Sequence, residues 1–363
     1  MKILHISTPL SWRGGEQQLV YLVEELKKKN IEQFVLGSEN SALEAYCKKN
    51  NLNFIAQPKP SSFSLRSAKK ISAFCEKENI SLIHAHDAQA HSNAVLSAFL
   101  FGNKTPVVLS RKVDFPIRKN FLSLYKYNHS SIKKIICVSN AIKDILSPDI
   151  RDKYKLTVVY DGIDMNRFSL ENTGILRKEF KIQTDELIVG NVAAIAPHKD
   201  YFTFVDTAEI LIKKNIKAKF FIIGDGPEKE KIKNYIEEKN LDEKIILTDF
   251  RKDLEKIFCE LDIFLFTSKT EGLGSSILDA YLCGVPVVAT TAGGIPEIVT
   301  HEQTGLLSPP KNAQSLSENV LKLISNTELK KTLIENGKEF VKKFSKQNTA
   351  EKILQAYKEV FSK

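Results

Sequence analysis

Short β-branched runs alternate with amphipathic stretches along the whole chain, and the series starts afresh once, near the middle. The first series reads KILHIS, a helical stretch from Glu16 to Lys29, then EQFVLGS, ISLIHAH, TPVVLSR, KKIICVS and LTVVYDG. The second reads ELIVGNVAA, a helical stretch after Asp200, then AKFFIIGDG, KIILTD, DIFLFTS, VPVVATT and TGLLSP. Strands separated by helices run parallel, because each crossover carries the chain back to the end where the previous strand began. The helices then cover both faces of the sheet. Two such series predict an α/β protein with two facing Rossmann-like, doubly wound parallel-sheet domains and a cleft between them. The length, 363 residues, suits two domains. The polar run after Phe168 marks the boundary, giving an N-terminal domain over 1–168 and a C-terminal domain over 169–345. A final helix over 346–363, apolar at Ile353, Leu354, Tyr357 and Phe361, can pack on either domain, and a return to the first is one expectation.

Composition narrows the class. With 42% hydrophobic and 27% charged residues, the chain has the balance of a globular protein with an ample core. No apolar run approaches the roughly 18 residues that a membrane-spanning helix needs. The opening MKILHIST lacks a signal-peptide apolar region and cleavage site and reads as a first strand. Cys47, Cys75, Cys137, Cys259 and Cys283 are odd in number and scattered, as expected of reduced thiols in a cytoplasmic protein. The net charge of +9 is uneven: residues 1–165 hold 24 Lys and Arg against 15 acids, and the remainder 29 against 29. A basic first half points either to an anionic partner or to a lysine-rich solvated surface.

Ligands of open parallel sheets bind beyond the carboxyl ends of the strands, so the loops there carry the chemistry. APHKD places Lys199 after a strand and before a helix, where an ammonium can meet a diphosphate or simply face water. In GDGPEKEK, Gly224 and Gly226 permit close backbone approach, and Pro227 suits a helix's first turn. TEGLGSSILD is more specific. Its strand delivers Glu271; Gly272 and Gly274 expose amides around Leu273; and Ser275 or Ser276 is placed to cap a helix whose N-terminus attracts phosphate. Asp279 lies about one turn further, on a face that can look back at the same cavity. Glu271 would then serve a sugar and Asp279 ribose hydroxyls; the plainer alternative makes them a helix-start acid and a solvated residue. Gly293-Gly294 followed by Pro296-Glu297 repeats the strand–glycine–helix device. In the first half, Gly14 and Gly15 follow the first strand, but G-x-G-x-x-G is absent.

These motifs, in this order, resemble glycosyltransferase family 4. The likeness runs through Lys199, G-x-G-P at 224–227, Glu271-Gly-Leu-Gly, the acid eight positions on, GVPVV at 284–288 and G-G-x-P-E at 293–297. It continues in GGE at 14–16, LIHAHD at 82–87, VSNAIKD at 138–144 and VVYDGID at 158–164, so it covers nearly the whole chain. The resemblance implies the GT-B architecture and transfer of a sugar, with retained anomeric configuration, from a nucleoside-diphosphate donor such as a UDP-, GDP- or ADP-sugar. It implies that Lys199 neutralises the diphosphate and Glu271 bonds the donor sugar. Backbone amides of Leu273 to Ser276 would contact sugar and phosphate, Asp279 would hold the ribose, and Gly14 and Gly15 would form a phosphate-side loop. His86 would line the donor or acceptor pocket, or else pack as a strand-end histidine beside His84. No divalent metal is implied. Two departures stand out: the family usually has glutamate at Asp279, and often arginine at Ala194.

The acceptor is expected mainly on the first domain. Residues 110–134 interleave Arg111, Lys112, Arg118, Lys119 and Lys126 with Phe115, Phe121, Tyr125 and Tyr127. This stretch either meets an anionic glycolipid or membrane surface, or packs its aromatics inward. The expectation is an enzyme of envelope lipopolysaccharide or polysaccharide synthesis, cytoplasmic or at the inner face of the membrane. Its acceptor would be a glycan or lipid-linked hydroxyl, and nucleic acid is not a partner. The alternatives are another reaction on the same architecture, such as sugar-nucleotide epimerisation, and a non-catalytic sugar-nucleotide binder.

Overall fold

The apolar runs form strands because β-branched and aromatic side chains fill both faces of a covered parallel sheet. A computed structural model describes residues 1–168 and 173–362 and divides the chain into two units. The first comprises Met1–Gly162 and the segment from Lys346 onward; the second is Ile163–Ser345.

The first unit contains β1 (Lys2–Ser7), β2 (Glu32–Ser38), β3 (Phe54–Gln57), β4 (Leu82–Ala85), β5 (Val107–Arg111), β6 (Ile132–Cys137) and β7 (Leu156–Val158). They form one sheet in the order β3-β2-β1-β4-β5-β6-β7, every pair parallel. β3 is absent from the sequence reading: none of Phe54, Ile55 and Ala56 is fully buried, so its alternation is weak.

The second unit contains β8 (Leu187–Val192), β9 (Ala218–Ile223), β10 (Ile245–Leu247), β11 (Ile263–Phe266), β12 (Val287–Thr290) and β13 (Leu306–Ser308). Their order is β10-β9-β8-β11-β12-β13, again parallel throughout. Its core joins Val189, Phe220, Ile222 and Leu265 to Phe204, Ile232, Leu316 and Val320 from the covering helices. Each unit is therefore a doubly wound sheet whose strand order reverses between its first and fourth strands. That reversal opens a crevice at the strand tips.

The chain leaves the first unit at Gly162 rather than at Phe168. The backbone explains the difference. Ile163 bridges to Ser345 and donates to the Phe344 carbonyl at 2.8 Å, and the Phe168 ring meets Phe258 edge-on at 5.6 Å, so 163–168 pack with the second unit. Part of the expected linker, 169–172, lies outside the described residues. The helix Lys346–Phe361 lays Ala350, Ile353, Ala356 and Tyr357 against Ile3, Leu22, Leu82, Val108 and Ile136 of the first unit. Ile353 and Tyr357 lie in the buried stripe as expected, whereas Leu354 is only partly buried and Phe361 is exposed, Ala350 and Ala356 completing the packed face instead. Gly162 is required there: a Cβ would stand 2.6 Å from Thr349 Oγ1 and 2.8 Å from the Lys346 backbone. Among the described residues no helix is long and apolar enough to cross a membrane.

Candidate functional site

In the second unit the loops after β8 and β11, the two strands at the reversal, are tied together. Thr267 Oγ1, just past β11, donates to the carbonyls of Lys199 and Asp200, each at 3.1 Å. Lys269 N–H donates to the His198 carbonyl at 2.8 Å. This lacing brings the Lys199 ammonium to 2.5 Å from Glu271 Oε2, which also accepts from Ser268 Oγ at 3.2 Å. Both side chains are mostly shielded, at 13% and 14% exposure, and the ammonium stands 4.8 Å over the Phe266 ring. The two opposite charges are paired.

Glycines hold these loops in place. Gly224 has φ of +150°, and a Cβ on it would lie 2.1 Å from the Ala193 carbonyl oxygen; one on Gly226 would lie 2.3 Å from that of Ile195. The Gly224–Gly226 turn thus lies directly on the lysine loop and shapes it, exchanging hydrogen bonds through Ile195 N–H to Asp225 O and Glu228 N–H to Ile195 O. Gly293 (φ +52°) does the same for the acid: its Cβ would overlap the Glu271 carbonyl oxygen at 1.9 Å, while Gly294 N–H donates to that oxygen at 3.1 Å. The Pro296-Glu297 segment makes only a 3-10 turn, Ile295–Glu297, rather than a full helix.

The helix Ser275–Cys283 starts differently from expectation. Gly274, left-handed at φ +90°, occupies the capping position, and no side chain caps the helix; Ser275 and Ser276 are its first two helical residues. With glycine at that position the start presents backbone amides rather than a hydroxyl cap. Leu273 is buried, its side chain packed away from solvent, whereas Ser275 and Ser276 are only partly covered.

Asp279 is neither solvated nor fully paired. Its side chain is 15% exposed and Oδ2 lies 3.5 Å from Arg167 Nη1, whereas Oδ1 is buried without a hydrogen-bond partner. Burial raises the carboxyl from 3.8 to about 6, the Arg167 charge opposing that shift only in part. Arg167 is absent from the sequence reading. It stands 112 positions away from Asp279, and only the run continuing Y-D-G-I-D toward Arg167-Phe168 hints at it. Ala194, at the position where the family often has arginine, is exposed.

The first unit gathers three histidines at its own reversal, between β1 and β4. His84 is held between the Tyr357 hydroxyl (2.6 Å) and Ser110 Oγ (2.8 Å). His86 Nε2 lies 3.1 Å from His5 Nδ1, and His5 Nε2 lies 3.1 Å from Gln33 Oε1. Burial drives all three rings toward the neutral form: His5 falls to about 4, and His84 and His86, which also face neighbouring histidines and the Lys112 ammonium, go well below the ordinary range. Their nitrogens come within 4.8 Å of one another, close enough for a metal, but Gln33, Tyr357 and Ser110 already engage them. The group is a hydrogen-bond network. A cavity of about 20 Å³, room for one water, adjoins it and is lined by Gln18, His84, His86, Ser110, Lys112 and Asp161.

Asp87 fastens the neighbouring loops, accepting from Thr8 N–H at 2.7 Å and capping the helix Ala88–Phe101. Gly14 and Gly15 open the helix Gly14–Lys28, and a Cβ on either would meet nothing within 4 Å. The fold itself therefore makes no demand for glycine there. Glu16 is buried and turns back to accept from Arg13 N–H (3.1 Å) and Ser7 Oγ (3.2 Å), so it braces the turn.

The acceptor-side candidates separate. Arg111 does not reach solvent: it is buried, donates to the Tyr127 hydroxyl at 3.0 Å and to the Phe115 carbonyl, and lies 4.7 Å from the Phe115 ring centroid. A guanidinium with that many internal partners is a structural brace. Lys112 pairs with Asp161 at the polar cavity, and Arg118 is exposed. Tyr127 packs inward, whereas Phe115 and Phe121 stay out.

Comparison with known proteins bears on both units. The profile of Glycosyltransferase Family 4 matches residues 12–167, and that of Glycosyl transferases group 1 matches residues 172–340. The chain is 32% identical, over 99% of both chains, to an uncharacterized glycosyltransferase of Methanocaldococcus jannaschii. It is 24% identical to the capsular polysaccharide biosynthesis glycosyltransferase CapM of Staphylococcus aureus, over 92% of each. Among solved structures, Anabaena HepE in complex with UDP and glucose superposes with a TM-score of 0.87 at 21% identity, covering 99% of this chain and 100% of HepE.

Proposed function

We propose that this chain, a member of glycosyltransferase family 4 with the GT-B architecture, moves a sugar from a nucleoside-diphosphate donor to a hydroxyl of a glycan or lipid-linked acceptor, with retention at the anomeric carbon. The observation that carries the reading is the Lys199–Glu271 contact at the strand reversal of the second unit, beside a helix start that no side chain caps.

The difficulty of the reaction is charge. As the glycosidic bond breaks, the diphosphate gains negative charge and the anomeric carbon becomes cationic. Preorganised donors aimed at the leaving group lower that barrier. Lys199 supplies a point charge and the amides from Leu273 to Ser276 supply aligned dipoles. A diphosphate that draws the ammonium away frees Glu271 to accept a bond from the donor sugar. Asp279, with one oxygen unpartnered, accepts from ribose hydroxyls. On the first unit, Gly14 and Gly15 leave open space for phosphate or acceptor. His86 is neutral and positions a hydroxyl rather than attracting an anion. No divalent ion is needed in this scheme, since lysine and helix amides carry the load.

HepE was solved with UDP, which makes UDP-sugars the first donors to try, and CapM acts in capsular polysaccharide synthesis, which makes envelope glycans the first acceptors. The test is thermal-shift screening of UDP-, GDP- and ADP-sugars, followed by turnover with Lys199→Ala and Glu271→Ala as controls. Stabilisation by one donor class, with turnover lost in both variants, supports the reading. Ala194 favours a second reading, a binder that does not transfer. Donor binding without turnover over a broad acceptor panel would establish it.

A further inference from the structure

The first unit carries an apolar groove that the transfer reaction does not use. It lies between the helices Ala88–Phe101 and Phe121–Asn128 and has a volume of about 490 Å³. Its walls are Phe63, Val95, Leu96, Phe99, Phe121 and Leu122, with Tyr125 and Lys126 at one side. These residues are not a core in waiting: Phe121 is 78% exposed, Phe63 62% and Leu122 60%. The Tyr125 ring stacks on Phe121 at 6.0 Å and meets Phe99 edge-on at 5.9 Å, which joins the aromatics into one surface. A contiguous apolar patch of this kind on a water-exposed face marks an interaction site.

Charge selects the occupant. Residues 59–126 contain eleven Lys and Arg against four acids, most of the net excess of the chain. Of those acids, Asp87 is already spent on a helix cap and on Thr8 of the loop after β1. Lys59, Arg66, Lys69, Lys104, Arg118 and Lys119 are all exposed. A second copy of the chain seated on this groove would bring like charges together. An anionic headgroup layer instead complements the basic residues while its acyl region takes the aromatics. We infer that the groove and its basic surround dock the first unit on an anionic phospholipid bilayer, with Phe63, Phe99, Phe121 and Leu122 entering the acyl boundary.

The test is co-sedimentation of the full chain with vesicles of phosphatidylcholine alone and of phosphatidylcholine mixed with phosphatidylglycerol. The expected result is binding about tenfold or more tighter to the mixed vesicles, weakened by salt. The double substitution Phe121→Ser, Leu122→Ser should abolish it. Lys119→Glu with Lys104→Glu should weaken binding to the anionic vesicles only. The charge variant changes exposed side chains alone, so it decides the matter even if the serine variant fails to fold. Equal binding to both vesicle types, or binding indifferent to both variants, overturns the inference. So does a concentration-dependent dimer in sedimentation equilibrium that the serine substitutions dissolve, because a second copy would then fill the groove. None of these readouts requires sugar transfer.

Discussion

Asp279→Asn separates what the fold wants from what the site wants. Burial lifts this carboxyl from 3.8 to about 6. The folded protein therefore keeps its proton up to about pH 6, whereas the unfolded chain gives it up near pH 4. Between those values the folded state binds more protons, so stability falls as pH rises, and the whole loss is present above pH 6. A shift of this size corresponds to about 3 kcal/mol. The neutral asparagine removes that cost, so the variant should melt several degrees higher at pH 7.5. The difference should vanish near pH 4. Function should move the other way. Losing charge-assisted acceptance of two hydroxyls should weaken the nucleoside diphosphate by about 10- to 100-fold. The assay is the difference in melting temperature between wild type and variant from pH 4 to 8, with titration calorimetry of the nucleotide over the same range. Taking the difference cancels every other titrating group. Parallel pH profiles would refute the raised carboxyl, and unchanged nucleotide affinity would refute its place in the site.

Three further outcomes follow from the same geometry. Lys199→Ala should weaken the nucleoside diphosphate by about 10- to 100-fold, while Glu271→Gln, which frees the ammonium, should leave that affinity equal or better and lower turnover; calorimetry and initial rates read the two effects apart. Gly293→Ala should cost at least about 2 kcal/mol in urea unfolding, because its Cβ overlaps the Glu271 carbonyl, whereas Gly14→Ala should change stability by less than about 1 kcal/mol and weaken ligand binding. Removal of divalent ions with EDTA should leave turnover unchanged, and loss of activity restored by one metal would overturn the scheme.

The sheets were legible because apolar runs bounded by glycine, proline and polar residues are local signals. Among the described residues, twelve of the thirteen strands announce themselves in this way, while Phe54–Gln57 does not, since it is short and only half covered. Lys199 and Glu271 were legible as motif residues beyond predicted strand ends, and Asp279 as an acid about one turn into the helix that follows. What local pattern could not give was pairing at a distance. Arg167 beside Asp279 and Tyr357 beside His84 depend on how remote segments pack. Arg111 shows the converse: a basic residue among aromatics looks like a ligand contact, yet its partners, the Tyr127 hydroxyl and the Phe115 carbonyl, turn it inward. Gly224 and Gly226 were legible as points of close backbone approach, but not that the backbone they approach is the loop at Ala193 and Ile195.

The return of Lys346–Phe361 to the first sheet has a consequence for biogenesis. Ile3, Leu82 and Val108 find part of their cover only after the entire second unit has left the ribosome. The uninterrupted second unit needs no later segment to mature, while the first waits, short of one helix, for the segment that closes it. A released chain truncated after Ser345 should protect the later-made unit from protease and leave the earlier-made one open to cutting.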